Sequence, residues 1–327
     1  MTEILDPHLA DFEQNRRTVF GIAYRMLGSV ADAEDLVQDT WLRWNGVTEA
    51  VASPGAYLTR TVTNLALNKL TSATARRESY VGPWLPEPLV DEPDAAEGVE
   101  RAESVSMAML VVMESLSPLE RAVFVLKEAF GYSYQEIAEA LDRTETACRR
   151  IGSRAKAHVS ARRPRYDAPS ELRRRATDEF LAACVGGDLN RVLELLAPEV
   201  TTWSDGGGVV RAALRPVVGA EKTARFLLGL MSRYAANAGA RPVLVNGQPG
   251  LLFTLDGALD SVVVLDLDLD LDEAQGPEEP ERPEGLEGPE TPERPEGSER
   301  CLARISAIRV VRNPEKLAHL AVPATRA

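Results

Sequence analysis

A chain of 327 residues with 44% hydrophobic content is long enough for two or three domains, each burying a core of its own. No run approaches the ~18 apolar residues of a membrane span, and the acidic, polar start lacks a signal-peptide pattern, so a cytoplasmic protein with no membrane partner is expected. A net charge of −13 speaks against nucleic-acid binding unless the basic residues are gathered in patches. Three scattered cysteines (Cys148, Cys184, Cys301) and three scattered histidines (His8, His158, His319) have no metal-ligand spacing, so neither a metal nor a cofactor is expected.

Residues 10–78 read as all-helical. Ser29 and Asp32 make a capping box, and Ala33, Leu36, Val37, Thr40, Trp41 and Trp44 recur at helical spacing. The opposite face carries Asp32, Glu34, Asp35 and Asp39. After a turn at Pro54-Gly55, Tyr57, Leu58, Val62, Leu65 and Ala66 open another helix. It runs into a basic stretch with no acid between Arg60 and Arg77, including Lys69 and Arg76. From residue 80 the composition changes. Gly82, Pro83, Pro86, Pro88 and Pro93 exclude regular structure, and seven acids oppose one Arg between Glu87 and Glu103, the composition of a tether. Ser117-Pro118-Leu119-Glu120 then combines a cap, a Pro at the first helical position and a Glu at the third.

Residues 133–158 are the most informative. Ser133 and Glu136 form a capping box, Ile137, Ala138 and Leu141 make a short apolar face, and the helix breaks at Asp142-Arg143. Thr144 caps a second helix in which Cys148, Ile151, Ala155 and Val159 fall on one stripe. Glu145, Thr146, Arg149, Arg150, Ser153 and Arg154 face away from it. Two helices joined by a tight turn, the second presenting Arg and short polar side chains, meet the requirement for reading a major groove. Eight basic residues stand against one acid, Glu145, between Arg143 and Arg165. A solvated αα-hairpin is the plainer alternative. Gly152 inside this helix costs about 1 kcal/mol relative to Ala.

Beyond residue 170, helices with Leu172, Ala176, Phe180 and Cys184, and at 192–196, precede strand-like runs at 200–203, 243–245, 251–255, 261–267 and 305–311, with one helix near 223–234. A curved antiparallel sheet beside few helices is an α+β domain. Residues 273–300 hold ten Glu, six Pro and four Gly, a composition expected to be disordered, and read as an expanded hairpin loop between two strands.

Two helical units around an acidic tether, the second ending in a helix-turn-helix, resemble bacterial sigma factors of the extracytoplasmic-function class. Residues 20–28 with 32–41 look like sigma region 2.1–2.2, residues 57–77 like regions 2.3–2.4, and residues 107–163 like region 4. Three further segments resemble the signatures of sigma factors with a fused SnoaL-like C-terminal domain: Tyr80–Leu89, Asp205-Gly206-Gly207-Gly208, and Asn313-Pro314-Glu315-Lys316-Leu317.

The resemblance implies a multidomain fold of two all-α sigma domains plus an α+β, cone-shaped SnoaL-like domain. Region 2 would span 8–80, an acidic linker 81–106, region 4 107–165, and the regulatory domain 170–327 with its insert at 273–300. It implies core RNA polymerase and promoter DNA as partners, with Asp32, Asp35 and Asp39 on polymerase. Arg60, Asn64, Lys69, Arg76 and Arg77 would face the −10 element, and Thr146, Arg149, Arg150, Ser153 and Arg154 the −35 element. Trp84, Leu85, Pro86, Asp205, Gly206, Gly207, Gly208, Asn313, Pro314, Lys316 and Leu317 would regulate in cis, the tether packing on the C-terminal domain near the last two motifs. An unidentified small ligand in the C-terminal domain is a further expected partner. An enzymatic alternative would rest on Asp205 as general acid or base, with no His between His158 and His319 to pair with it. A ligand-sensing repressor would leave the acidic helix at 32–39 and the Arg60–Arg77 patch unexplained.

Overall fold

The computed structural model describes residues 7–91, 105–161, 169–234, 236–269 and 303–320. Helices α1 (Pro7–Leu27), α2 (Val30–Asn45) and α3 (Pro54–Glu78) form a bundle around Ile22, Met26, Leu36, Val37, Leu58 and Val62. The apolar stripe of α2 is buried as its spacing requires. Its first turn is capped by Ser29, whose side chain accepts from the Asp32 N–H at 3.1 Å.

A second unit holds α4 (Met107–Met113), α5 (Pro118–Phe124), a π-helical turn (Val125–Ala129), α6 (Tyr134–Leu141) and α7 (Glu145–Ser160). Two of the expected capping boxes, Ser117 with Glu120 and Ser133 with Glu136, are closed in both directions, whereas Ser29 with Asp32 shows the forward bond alone.

The C-terminal domain places α8 (Ser170–Gly186), α9 (Leu189–Leu195) and α10 (Ala220–Tyr234) against one sheet. The strands are β1 (Val90–Asp91), β2 (Leu196–Asp205), β3 (Val217–Val218), β4 (Ala238–Val245), β5 (Gln248–Leu255), β6 (Ala258–Leu269) and β7 (Ala303–Val311), in the order β1-β4-β5-β6-β7-β2-β3. The short α11 (Pro314–Leu317) follows β7.

Two expectations need correction. The sheet is mixed, because β2 runs parallel to β7. The tether also forms regular structure in spite of its prolines: Val90 and Asp91 pair antiparallel with Val245 and Leu244, adding an edge strand to the C-terminal sheet. Neither of these two tether residues has a proline neighbour, and they supply ladder bonds that Pro86 and Pro88 lack the N–H to make. β6 and β7 are antiparallel neighbours, as the hairpin reading of the insert requires. The insert itself, residues 92–104 of the linker and residues 162–168 lie outside the described residues.

Both faces of the sheet are covered. Val263, Leu265, Ile305 and Ile308 pack with Phe180, Val192 and Leu195 of the helices. Val243, Val245, Val262, Val264 and Val311 join the same core as the two helical units. β6 therefore reads as a continuous apolar run through its middle, the pattern of a strand buried on both sides.

Candidate functional site

The helix-turn-helix is built as its sequence requires. Asp142 ends α6 in the left-handed region (φ 52°), and the Thr144 hydroxyl accepts from the Ala147 N–H at 3.2 Å to start α7. Cys148, Ala155 and Val159 are buried, Ile151 is half-buried, and Thr146, Arg149, Arg150, Ser153 and Arg154 are all exposed. Gly152 has a reason that propensity alone misses. A Cβ there would lie 2.8 Å from Tyr134 Oη and 2.9 Å from the edge of its ring, so glycine lets α6 and α7 close. The Arg149 guanidinium lies over the same ring, 5.1 Å from its centre, and donates to Glu145 Oε1 at 2.5 Å, which orients it on the exposed face.

In the first helical unit Asp35 and Asp39 are exposed and Asp32 is half-buried. Lys69, one of the residues expected to face DNA, is paired in the free chain with the expected polymerase face, with Nζ 2.8 Å from Asp32 Oδ1 and 3.2 Å from Asp35 Oδ2. Two sets of residues that sequence reading kept apart thus meet in one ion-pair group. Arg60 is exposed nearby on α3, whereas the side chains of Arg76 and Arg77 lie outside the described residues.

The two helical units are closed onto each other. The Asn64 carboxamide donates to the Ala140 carbonyl of α6 at 3.3 Å, and the Thr59 and Tyr132 hydroxyls lie 2.8 Å apart. Arg121 of α5 is 2% exposed and donates to Met26 O at 2.7 Å, Met113 O at 2.6 Å and Glu114 Oε1 at 2.8 Å. Burial pulls its pKa down to about 10, still far above neutrality, so a buried cation pins the end of α1 to the second unit. Sequence reading missed Arg121, because nothing in its spacing separates it from a surface arginine.

The expected cis-regulatory segments converge on Asp205, which is fully buried at the end of β2. Its Oδ1 accepts from Tyr80 Oη at 2.5 Å and from the Gly207 N–H at 3.1 Å. Its Oδ2 accepts from the Leu85 N–H at 2.8 Å and from Lys316 Nζ at 2.7 Å. Lys316 also donates to the Leu85 carbonyl and lies 4.2 Å from the Trp84 ring centre and 4.8 Å from that of Tyr80. Asn313 Nδ2 donates to Tyr80 Oη at 2.9 Å, and the Asp205 carbonyl accepts from the Arg312 and Asn313 N–H groups.

The glycines follow from this packing: at Gly207 (φ 62°) a Cβ would sit 2.3 Å from Asn313 Nδ2. Leu85, Pro86 and Leu317 are buried, while Pro314 and Gly208 are exposed. Tyr80 is held above its ordinary pKa by burial and then by the Asp205 carboxylate, so it stays a donor. Both oxygens of Asp205 are engaged, by the tether, the Gly207 N–H and Lys316.

The tether also reaches the first unit. Glu87 Oε2 accepts from the Val30 N–H at 2.6 Å and the Ala31 N–H at 3.3 Å, placing a carboxylate at the start of the acidic helix α2. Sequence reading counted Glu87 among the acids of the tether and within the Tyr80–Leu89 signature, without a partner of its own.

A three-helix unit, a helix-turn-helix unit and a fused α+β domain define a protein of the sigma-70 class. The Sigma-70 region 2 model matches residues 12–76, and the Sigma-70, region 4 model matches residues 106–159. Over 248 residues the chain is 42% identical to the ECF RNA polymerase sigma factor SigJ of Mycobacterium tuberculosis (strain ATCC 25618 / H37Rv), covering 74% of this chain and 80% of that protein. It is 32% identical to the probable ECF RNA polymerase sigma factor SigI of the same species, over 80% of this chain and 90% of that one. The crystal structure of the M. tuberculosis extracytoplasmic function sigma factor SigJ aligns with a TM-score of 0.68 at 31% identity, over 95% of this chain and 98% of that chain.

The chain belongs to the extracytoplasmic-function RNA polymerase sigma factors. Its function is therefore promoter-specific initiation of transcription with core RNA polymerase, and its C-terminal domain fits the SnoaL-like fold. Among the described residues, no helix is long and apolar enough to cross a membrane.

Proposed function

We propose that this sigma factor is restrained in cis by its C-terminal domain, which holds the tether and keeps the two DNA-reading units closed on each other. The observation that carries this is the Asp205–Lys316 pair gripping the backbone of Leu85 from both sides. A buried pair of this kind, with its hydrogen bonds filled, costs about 3–5 kcal/mol to break by removing one partner. In the closed state Asn64, a residue of the −10 face, is bonded to α6, so that opening would free it for DNA. Core polymerase would open the arrangement, and the protein would act in the cytoplasm, where polymerase is.

Within that function Asp32, Asp35 and Asp39 dock on polymerase. Arg60, Asn64, Lys69, Arg76 and Arg77 engage the −10 element, while Thr146, Arg149, Arg150, Ser153 and Arg154 engage the −35 element. The chain acts as an initiation factor rather than an enzyme.

A small ligand fits the same scheme. The cleft between α8, α10 and the sheet is lined by Phe180, Leu227, Met231, Leu251, Phe253 and Val310, and carries the Asp260–Arg312 pair at its polar end. Its occupant would be an amphiphile with an apolar body and a hydrogen-bonding end. Arg312 is the neighbour of Asn313, and its N–H bonds the Asp205 carbonyl, so the cleft adjoins the tether grip.

Co-purification of the full chain with core polymerase tests the function. Stable capture that directs transcription from a cognate promoter is expected; a chain that binds duplex DNA but never core enzyme would contradict it.

A further inference from the structure

The turn between β4 and β5 is Asn246-Gly247, with φ of 51° and 70°, a two-residue hairpin turn for which Asn-Gly is favoured. The turn requires only the backbone of Asn246. Its side chain is nonetheless buried, at 2% residue exposure, and its three hydrogen bonds all reach outside the C-terminal domain. Oδ1 accepts from the Leu89 N–H at 3.1 Å. Nδ2 donates to Tyr24 Oη at 2.8 Å and to the Val105 carbonyl at 3.1 Å. The Asn246 N–H donates to the Leu89 carbonyl at 2.7 Å. Tyr24 in turn donates to the Glu87 carbonyl at 2.7 Å, which leaves its oxygen free to accept from Asn246.

One carboxamide therefore touches the first helical unit through Tyr24, the tether through Leu89, and the start of the second unit through Val105. Leu89 and Val105 are 16 positions apart. A fully extended chain of that length reaches about 55 Å, the rise of about sixteen base pairs of duplex. The Asn246 side chain bonds both ends of that stretch, Leu89 and Val105. Since the grip of Asp205 and Lys316 acts upstream, on Leu85, opening at Asn246 releases Val105 and Tyr24 without releasing the tether from the C-terminal domain, and the Arg121 and Asn64 contacts then part with it.

We propose that Asn246 is the latch that keeps the two DNA-reading units together, and that its release supplies the separation they need on a promoter. The latch rests on the cis-restraint reading above. It also predicts a hierarchy: contacts of Asn246, Asn64 and Arg121 break on opening, whereas those of Asp205 persist. Asparagine is specific to the task. Aspartate keeps the acceptor for Leu89 but cannot donate to Val105 and Tyr24, and alanine loses all three bonds.

The test is an intramolecular distance in the full-length free chain, between probes introduced by genetic encoding at Gln14 on α1 and Ser160 at the end of α7, both exposed. Wild type should give one short distance. Asn246→Ala and Asn246→Asp should add a longer population, at least several-fold above wild type, while the exposed Asn237→Ala should not. An unchanged distribution in a folded Asn246→Ala chain would overturn the latch. If the variants do not fold, amide exchange in wild type decides: the Leu89 N–H should lose protection when core polymerase binds while that of Leu85 keeps it, and the reverse order would overturn the latch. Failure of the wild-type chain to bind polymerase would count against the function instead, since the distance is read without polymerase.

Discussion

Lys316 and Asp205 meet at 2.7 Å at the shared C-terminal end of the parallel neighbours β7 and β2, and the backbone of Leu85 is bonded to both of them. A lysine and a carboxylate so deeply buried are costly to desolvate unless each has further partners. Here the partners are the tether itself and the rings of Trp84 and Tyr80. The domain is therefore incomplete at this point without the tether, which explains why segments separated by more than a hundred residues carry matching chemistry.

Reading of the upstream promoter element should depend on Arg149 and Arg150. Each is exposed on α7, and a specific base contact is worth about 1–3 kcal/mol, whereas a phosphate contact weakens all sequences alike. Arg149→Ala should lower promoter affinity of the polymerase-bound factor at least several-fold, as measured by titration against cognate and scrambled duplexes. Unchanged affinity in both alanine variants would remove α7 from the reading role.

Gly152→Ala should destabilise the helix-turn-helix in spite of alanine's better helix propensity. The added methyl would press on Tyr134, and overpacking of this kind costs about 1–3 kcal/mol. Thermal unfolding followed by the signal of the second unit should show a lowered midpoint. Pairing the change with Tyr134→Ala should restore much of the loss, whereas a midpoint that rises in the single variant would contradict the close approach.

Charge reversal at Asp35 and Asp39 should weaken binding to core polymerase while leaving the bundle folded, since both side chains point to solvent. Asp35 has a second effect. Its loss leaves Lys69 paired with Asp32 alone, but an exposed pair of this type is worth only about 0–1 kcal/mol, so folding should barely change. Affinity for core enzyme that survives the reversal would place the docking face elsewhere.

The second unit should lose stability in mild acid through its caps. Glu120 is held below the ordinary glutamate range, first by the Ser117 hydroxyl and then by the Ser117 N–H, and Glu136 is lowered in the same way by Ser133. Because the folded pKa is the lower one, their contribution is complete above the unfolded glutamate value. It fades as pH falls through that value towards the folded one. Circular dichroism melts between neutral pH and the acid side of that window should show this loss in wild type and a smaller one in Ser117→Ala. Equal pH dependence in both would show that the cap contributes nothing.

Much of the helical part was legible because local chemistry dictates it. Capping residues stand where the helices begin, and the 3.6-residue period of α2 and α7 separates buried from exposed side chains without help from tertiary structure. The convergence of the tether with the Asp205 and Asn313 segments was legible through the family resemblance and through Trp84 and Leu85, two large apolar residues in a tether with no core of its own. The parallel pairing of β2 with β7 was not readable, since strand direction is set by connections rather than by composition. Nor were Arg121, Glu87 and Asn246. Each looks locally like a surface cation, a tether acid and a turn residue, and each acquires its role from partners far away in sequence.

Transcription in vitro from a cognate promoter tests cis restraint most directly, comparing the full chain with Lys316→Met and with a deletion of residues 273–300. Lys316→Met keeps the long apolar stem but removes the charge that grips Leu85 and answers Asp205. Restraint through the tether predicts that Lys316→Met raises the transcript yield several-fold at limiting core polymerase, while the deletion leaves it at the wild-type level. Equal yields from wild type and a folded Lys316→Met chain, across the whole range of polymerase concentration, would contradict it.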